Sequence, residues 1–148
     1  MKKEPYFIDT NIIMYARGRE HLYKAPCAGI MLKIADGTFE HEFGTPVIDS
    51  EVFQEIIYRY GVENKWETAA SVGRDLLLIG LDVLAFGIDE VHGLIELSVK
   101  YSGKGISPRD LVHTAVMMSN GILKIISTDL HFDQIDEVER IDPASIRY

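Results

Sequence analysis

Tyr6-Phe7-Ile8-Asp9-Thr10-Asn11 is the stretch that decides the fold. Three apolar residues run straight into an aspartate, and Asp9, Thr10 and Asn11 are residue types that end a strand and cap a helix. A short helix from about Ile12 to Arg17 then stops at Gly18, which suits the position after a helix end. The pattern recurs downstream. Pro46-Val47-Ile48 reads as a second strand, and Asp49 or Ser50 caps a helix whose Val52, Phe53, Ile56, Ile57 and Tyr60 follow the 3.6-residue period. Leu81 to Phe86 is a third strand, followed by a helix from about Asp89 to Lys100. After the loop Tyr101 to Ile106, Ser107-Pro108 opens a helix running to about Asn120, with Pro in the first turn and Gly121 beyond its end. Lys124-Ile125-Ile126-Ser127 is a fourth strand stopping at Thr128-Asp129, and Val138 to Ile141 supplies a fifth. Two further helices are expected, from His21 to near Gly37 with Pro26 weakening the start, and from Glu63 to Ile79.

Strands separated by helices imply right-handed βαβ units. The expected fold is a three-layer α/β/α domain with a central, mostly parallel sheet of four or five strands and Tyr6–Ile8 near its middle. No repeat or linker interrupts residues 1–148, so one domain is expected.

Composition narrows the function classes. Hydrophobic residues make up 47% and charged residues 26%, the balance of a folded globular chain rather than a disordered one. A single cysteine, Cys27, excludes an internal disulfide framework and a multi-cysteine zinc site, and reads as a small buried hydrophobe. The longest apolar run, Leu76 to Phe86, is too short to span a membrane and is broken by Asp82. Lys2-Lys3 is followed by Glu4, Pro5 and Asp9, which breaks any signal-peptide pattern, so a cytoplasmic location is expected. Fifteen basic against 23 acidic residues give a net charge of −8, which argues against gripping nucleic acid through the whole molecular field. Clustered carboxylates that bind a divalent metal also make a chain acidic, so the placement of the acids matters more than their number.

In open parallel sheets, ligands bind beyond the carboxyl ends of the strands. Asp9 and Asp129 each follow such a strand and would share that edge. Either one alone is equally well explained as a cap or a turn residue. Asp110 fits the third helical position after the cap Ser107, which would account for it without a site. Its helix, however, carries Leu111, Val112, Ala115, Val116, Met117 and Met118 around most of its circumference, so its first turn should face protein or a cleft. Helical angle separates two glutamates. Glu51 lies nearly opposite the stripe centred on Phe53 and Tyr60, whereas Glu55 lies on its flank and is the better cleft candidate. Four converging carboxylates would repel one another and take up protons. A divalent cation removes that conflict, and an all-oxygen site favours Mg²⁺ or Mn²⁺ over zinc. Such a site suits phosphodiester hydrolysis.

Phe7-Ile8-Asp9-Thr10-Asn11, Val52-Phe53-Gln54-Glu55, Pro108-Arg109-Asp110-Leu111-Val112-His113-Thr114-Ala115 and Ile126-Ser127-Thr128-Asp129 together resemble the four acidic motifs of PIN-domain nucleases, in order and spacing. Phe132-Asp133, a short strand and Asp142-Pro143 resemble that family's C-terminal part, and the compact size is similar to the VapC-type toxins. The resemblance implies a Mg²⁺- or Mn²⁺-dependent ribonuclease. Asp9, Glu55, Asp110 and Asp129 would form its acidic site, with Thr10, Asn11 and Thr128 orienting carboxylates, water or phosphate. His113, one turn from Asp110, would either contact RNA or pack. The same resemblance implies an antitoxin partner that places an arginine among the carboxylates, and a homodimer. Leu22, Met31 and Ile34 on one helix and Val52, Ile57 and Tyr60 on another supply apolar surface for that dimer.

Other readings are weaker. A non-catalytic PIN-like interaction module should show a broken acidic set, and all four acids are present. An RNA-processing nuclease without an antitoxin shares the same site. A strand–Asp phosphatase would need a second Asp where Asn11 stands. Ser102-Gly103-Lys104-Gly105 lacks the Ser or Thr of a P-loop, leaving Lys104 and Arg109 only as phosphate contacts near the site. His41-Glu42 and His131-x-Asp133 lack metalloprotease spacing.

Overall fold

The computed structural model describes residues 3–146. Its strands are β1 (Pro5–Ile8), β2 (Thr45–Asp49), β3 (Asp82–Leu84), β4 (Lys124–Ile126) and β5 (Glu139–Ile141). They form one sheet in the order β3-β2-β1-β4-β5, every neighbouring pair parallel, with β1 in the centre. The helices are α1 (Thr10–Arg17), α2 (Lys24–Asp36), α3 (Thr38–Glu42), α4 (Glu51–Val62), α5 (Trp66–Leu78), α6 (Ile88–Lys100) and α7 (Pro108–Ser119). The α/β/α architecture expected from the sequence is the one observed.

The central strands are apolar at consecutive positions because both faces are covered. Phe7, Val47 and Ile125 point into a core closed by Leu97 of α6 and by Leu111, Ala115 and Met117 of α7. Ile8, Ile48 and Ile126 point the other way, into a core closed by Ile12 and Ile13 of α1, Ile30 and Ile34 of α2, Val52 and Ile56 of α4, and Val72 and Leu76 of α5. The lone thiol of Cys27 sits in this second core and is pushed up to about 12 by burial, aided by the charge of Asp142.

Element boundaries depart from the sequence reading for local reasons. The long helix expected from His21 instead starts at Lys24, leaving Pro26 in the first turn, where a missing N–H breaks no helical hydrogen bond. Gly37, at φ 84°, then ends α2 in the left-handed conformation, and the chain re-enters a short helix that buries Phe39. Asn64, at φ 58°, separates α4 from α5, so α5 begins at Trp66 rather than Glu63. Two residues assigned to a dimer face, Ile34 and Val52, are core residues at 4% and 0% exposure, while Leu22 and Ile57 remain exposed. Among the described residues no helix is long and apolar enough to cross a membrane.

Gly44 shows how tightly β1 and β2 are joined. A Cβ there would lie 1.9 Å from the Glu4 carbonyl oxygen, just ahead of the pairing of Pro5 with Thr45. Gly44→Ala should therefore cost about 1–3 kcal/mol as the strand entry shifts. Chemical denaturation checks this, with an unchanged midpoint contradicting it.

Candidate metal centre at the carboxyl edge of the sheet

The register of β1 against β4 builds the first half of the site. Ile8 pairs with Ile126, and the Asp9 N–H donates to the Ile126 carbonyl at 3.1 Å, so Asp9 and Ser127 emerge side by side. Asp9 caps α1 through Oδ1, which accepts from the Thr10 N–H at 2.8 Å, and its Oδ2 accepts from the Ser127 hydroxyl at 2.6 Å. Ser127 Oγ in turn accepts from the Asp129 N–H at 3.0 Å and from Asn11 Nδ2 at 3.3 Å, which uses the hydroxyl's full hydrogen-bonding capacity. Asn11 Oδ1 accepts from the Thr128 N–H at 3.4 Å. A single buried serine thus ties together Asp9, Asn11 and Asp129.

The second half comes from two helices. The Ser107 hydroxyl caps α7 by accepting from the Asp110 N–H at 3.2 Å, which leaves the Asp110 carboxylate free to face the cleft. Glu55 projects inward from α4 and is buried, while Glu51 does not line the cleft. Asp9, Asn11, Glu55, Arg109, Asp110 and Asp129 all line one cavity of about 450 Å³. Thr128 lines the adjoining cavity beside Asn11 and Asp129. Thr10 contributes its backbone N–H, whereas its hydroxyl is buried without a partner.

His113 reaches no substrate position. It is 1% exposed, beneath the cleft floor, with Nδ1 2.6 Å from Asp49 Oδ2 and Nε2 2.6 Å from Glu55 Oε1. The second approach is close but poorly aligned for a hydrogen bond, so it acts as an ionic contact. The RNA-contact alternative for His113 is therefore corrected: the imidazole links the end of β2 to α4. Burial works to strip its proton, but the Asp49 and Glu55 contacts and the Asp9 charge outweigh burial and hold it well above the ordinary histidine range. Asp49 is the residue that sequence reasoning underrated. It caps α4 through Oδ1, which accepts from the Glu51 and Val52 N–H groups, and spends Oδ2 on His113.

The electrostatics of the acid cluster work against full ionisation. Burial, the Asp9 charge and contact with Asp129 push Asp110 up to about 8. Burial also raises Asp9 against the lowering effects of His113 and Ser127. Asp129 goes the other way: burial is outweighed by hydrogen bonds from His131 and from Asp110, so it holds its charge. Asp110 is thus held toward its neutral form beside Asp129, where two anions would repel. One ligand atom from each of Asp110, Asp129 and His131 lies within 4.8 Å of the others, a spacing that a single cation can bridge. The His131 imidazole, set aside at the sequence level for want of metalloprotease spacing, sits 2.8 Å from Asp129 Oδ1. Its signal was position: it follows Asp129 by two residues on the turn that leaves β4.

Comparison with known proteins places this arrangement. The family model described as PIN domain matches residues 6–138. The ribonuclease VapC13 of Mycobacterium tuberculosis is 27% identical over 140 residues, covering 90% of this chain and 97% of that protein. The ribonuclease VapC7 of the same organism is 26% identical over 136 residues, covering 92% and 90%. Among solved structures, M. tuberculosis VapC20, described as a sarcin-ricin loop cleaving toxin, superposes with a TM-score of 0.72 at 14% identity over 88% of this chain and 95% of that one. VapBC2 from Rickettsia felis, bound to a promoter DNA fragment, gives 0.67 at 21% identity, covering 93% and 97%. With the family model matching residues 6–138, nearly the whole of its length, this chain belongs to the PIN domain family.

Proposed function

We propose that the chain is a divalent-metal-dependent endoribonuclease and the toxin of a toxin–antitoxin pair. The observation that carries this reading is the convergence of Asp9, Glu55, Asp110 and Asp129 from four separate elements on one cleft, where Asp110 is driven to keep a proton. Such a cluster has a chemical purpose when a cation neutralises it, and its oxygen-rich donor set fits Mg²⁺ or Mn²⁺. Asp9, Asp110 and Asp129, with Glu55 behind them, would hold the ion. When bound, a divalent cation polarises a phosphoryl oxygen and makes water a better nucleophile. The relatives named as ribonucleases, matched over 90% or more of this chain, support RNA as the substrate.

The chain's own residues supply orientation. Ser127 and the Thr10 N–H fix both oxygens of Asp9, His131 fixes one oxygen of Asp129, and His113 holds Glu55 against β2. Carboxylates set in advance lose little entropy on binding. Arg109, at the cleft rim and free of acidic partners among the described residues, offers a guanidinium to the substrate phosphate. A cognate antitoxin inserting an arginine among the same carboxylates would silence the site, and solved neighbours include VapBC complexes. A homodimer through exposed apolar surface that includes Leu22 and Ile57 is part of the same reading.

Incubating the purified chain with single-stranded RNA tests the activity. Cleavage should require Mg²⁺ or Mn²⁺, stop in excess EDTA and return on adding metal back. Asp129→Asn should lower the rate at least about a hundredfold, and a simple aryl phosphate monoester should not turn over. Metal-independent cleavage, or equal rates for Asp129→Asn and the parent chain, would contradict the reading.

A further inference from the structure

The acidic cleft does not end at the metal-binding residues. It opens into two further cavities, of about 570 and 370 Å³, and Asn11 and Arg59 line all three. Tyr15 lines both outer ones. The three cavities form a groove that follows α1 from its N-terminal cap Asp9 to its end at Gly18, about 12 Å for an eight-residue helix.

The far end of the groove has a different chemistry from the acid cluster. Arg59 and Arg19 line it, both exposed and both without an acidic partner among the described residues. The nearby acid, Glu20, lies 3.4 Å from Lys24. Two rings line this end, His21 and Tyr15, 4.9 Å apart at 31°, and Tyr23 backs His21 at 5.8 Å and 26°. His21 Nδ1 accepts from the Tyr23 N–H, which orients the exposed imidazole and leaves Nε2 to meet a ligand. A chain of net charge −8 thus concentrates unpaired arginines and an aromatic stack along one groove leaving its catalytic cleft.

Arginine for phosphate and flat rings for bases is the recurring solution for single-stranded nucleic acid. A duplex would not fit this solution, because its bases are already stacked and its phosphates follow the helix surface. We infer that this groove is a nucleotide-binding subsite that holds single-stranded RNA next to the scissile phosphate, Arg59 taking a phosphate and the His21–Tyr15 rings stacking a base. The inference rests on the ribonuclease reading and names what that site holds beyond the bond it cuts.

The experiment uses the full chain, Arg59→Ala and His21→Ala, a fluorescent single-stranded oligoribonucleotide and a dinucleotide too short to fill the groove. Binding is measured by anisotropy against salt on the Asp129→Asn background, and cleavage on the otherwise unaltered chain. His21→Ala, whose ring lines only the outermost cavity, should lower kcat/KM on the oligonucleotide about tenfold or more while leaving dinucleotide cleavage within about twofold, and Arg59→Ala should lower the oligonucleotide value by more than the dinucleotide value. Arg59→Ala should also flatten the slope of log affinity against log salt by about 0.7, the effect of one lost phosphate contact on a single strand. Circular dichroism and melting temperatures matching the parent chain exclude misfolding, since both side chains are exposed. Oligonucleotide binding and cleavage unchanged in both variants would overturn the subsite and leave the nuclease standing. Equal losses on both substrates would also overturn it, by placing Arg59 at the reacting phosphate instead of beyond it. A parent chain that cleaves no RNA would overturn the ribonuclease reading itself, a result distinct from either.

Discussion

Asp110→Asn should raise the stability of the metal-free chain while abolishing RNA cleavage. Asp110 ionises near 4 when unfolded but keeps its proton to about 8 in the fold, because of burial, the Asp9 charge and its contact with Asp129. The folded state therefore binds more protons between those two values. Stability consequently falls as pH rises from about 4 to 8, and the full penalty applies above 8. Asparagine keeps the shape and carries no charge. In EDTA at pH 8 the variant should be more stable by about 2 kcal/mol, about 4–8 °C in melting temperature for a chain of this size. At pH 4 the gain should nearly vanish. Saturating Mn²⁺ should reverse the order, stabilising the parent chain and leaving the variant little changed. A variant less stable than the parent in EDTA at pH 8 would show that Asp110 is not held against repulsion.

His113→Leu should produce the largest stability loss. The substitution leaves Asp49, 0% exposed, and Glu55 without the buried cation between them, and breaking such a pair from one side typically costs about 3–5 kcal/mol. A melting temperature lower by about 8 °C or more is expected. Because the folded histidine titrates well above its unfolded value, its contribution is fully present below about 6.5 and is lost only as pH rises through the higher folded value. The difference between parent and variant should accordingly be greatest at acidic pH. Adding Asp49→Asn to His113→Leu should cost less than the two separate losses combined, since both act on one network. Additive losses, or a difference that grows toward alkaline pH, would contradict a protonated bridge.

The sheet was readable because its central strands are covered on both faces. Phe7-Ile8, Val47-Ile48 and Ile125-Ile126 are apolar at consecutive positions, and each pair divides between the two cores. Glu55 was separable from Glu51 by helical angle, because α4 has a clear apolar stripe and one buried flank. His113 and Ser127 were not, since their roles exist only through space. His113 joins α7 to residues 64 positions away in β2, and Ser127 joins β4 to residues more than 110 positions away. Asp49 did carry a signal that was passed over. Val47-Ile48-Asp49 repeats the apolar–apolar–aspartate run of Phe7-Ile8-Asp9, and the parallel register sets both aspartates on the same edge of the sheet. Capping alone explained Asp49, so its second oxygen went unassigned. The short α3 went unread for a local reason: Gly37 does end α2, as its position suggested, but its left-handed turn lets the chain re-enter helix at Thr38.

The central claim is that the strand-end and helix acids form one divalent-cation site. A crystal soaked in Mn²⁺ and measured at the manganese absorption edge tests it directly. The account predicts an anomalous peak in the cleft about 2.0–2.3 Å from carboxylate oxygens of Asp9, Asp110 and Asp129, lost in Asp129→Asn crystals. Well-diffracting crystals with millimolar Mn²⁺ and no peak in that cleft, or a peak that survives Asp129→Asn unchanged, would contradict it.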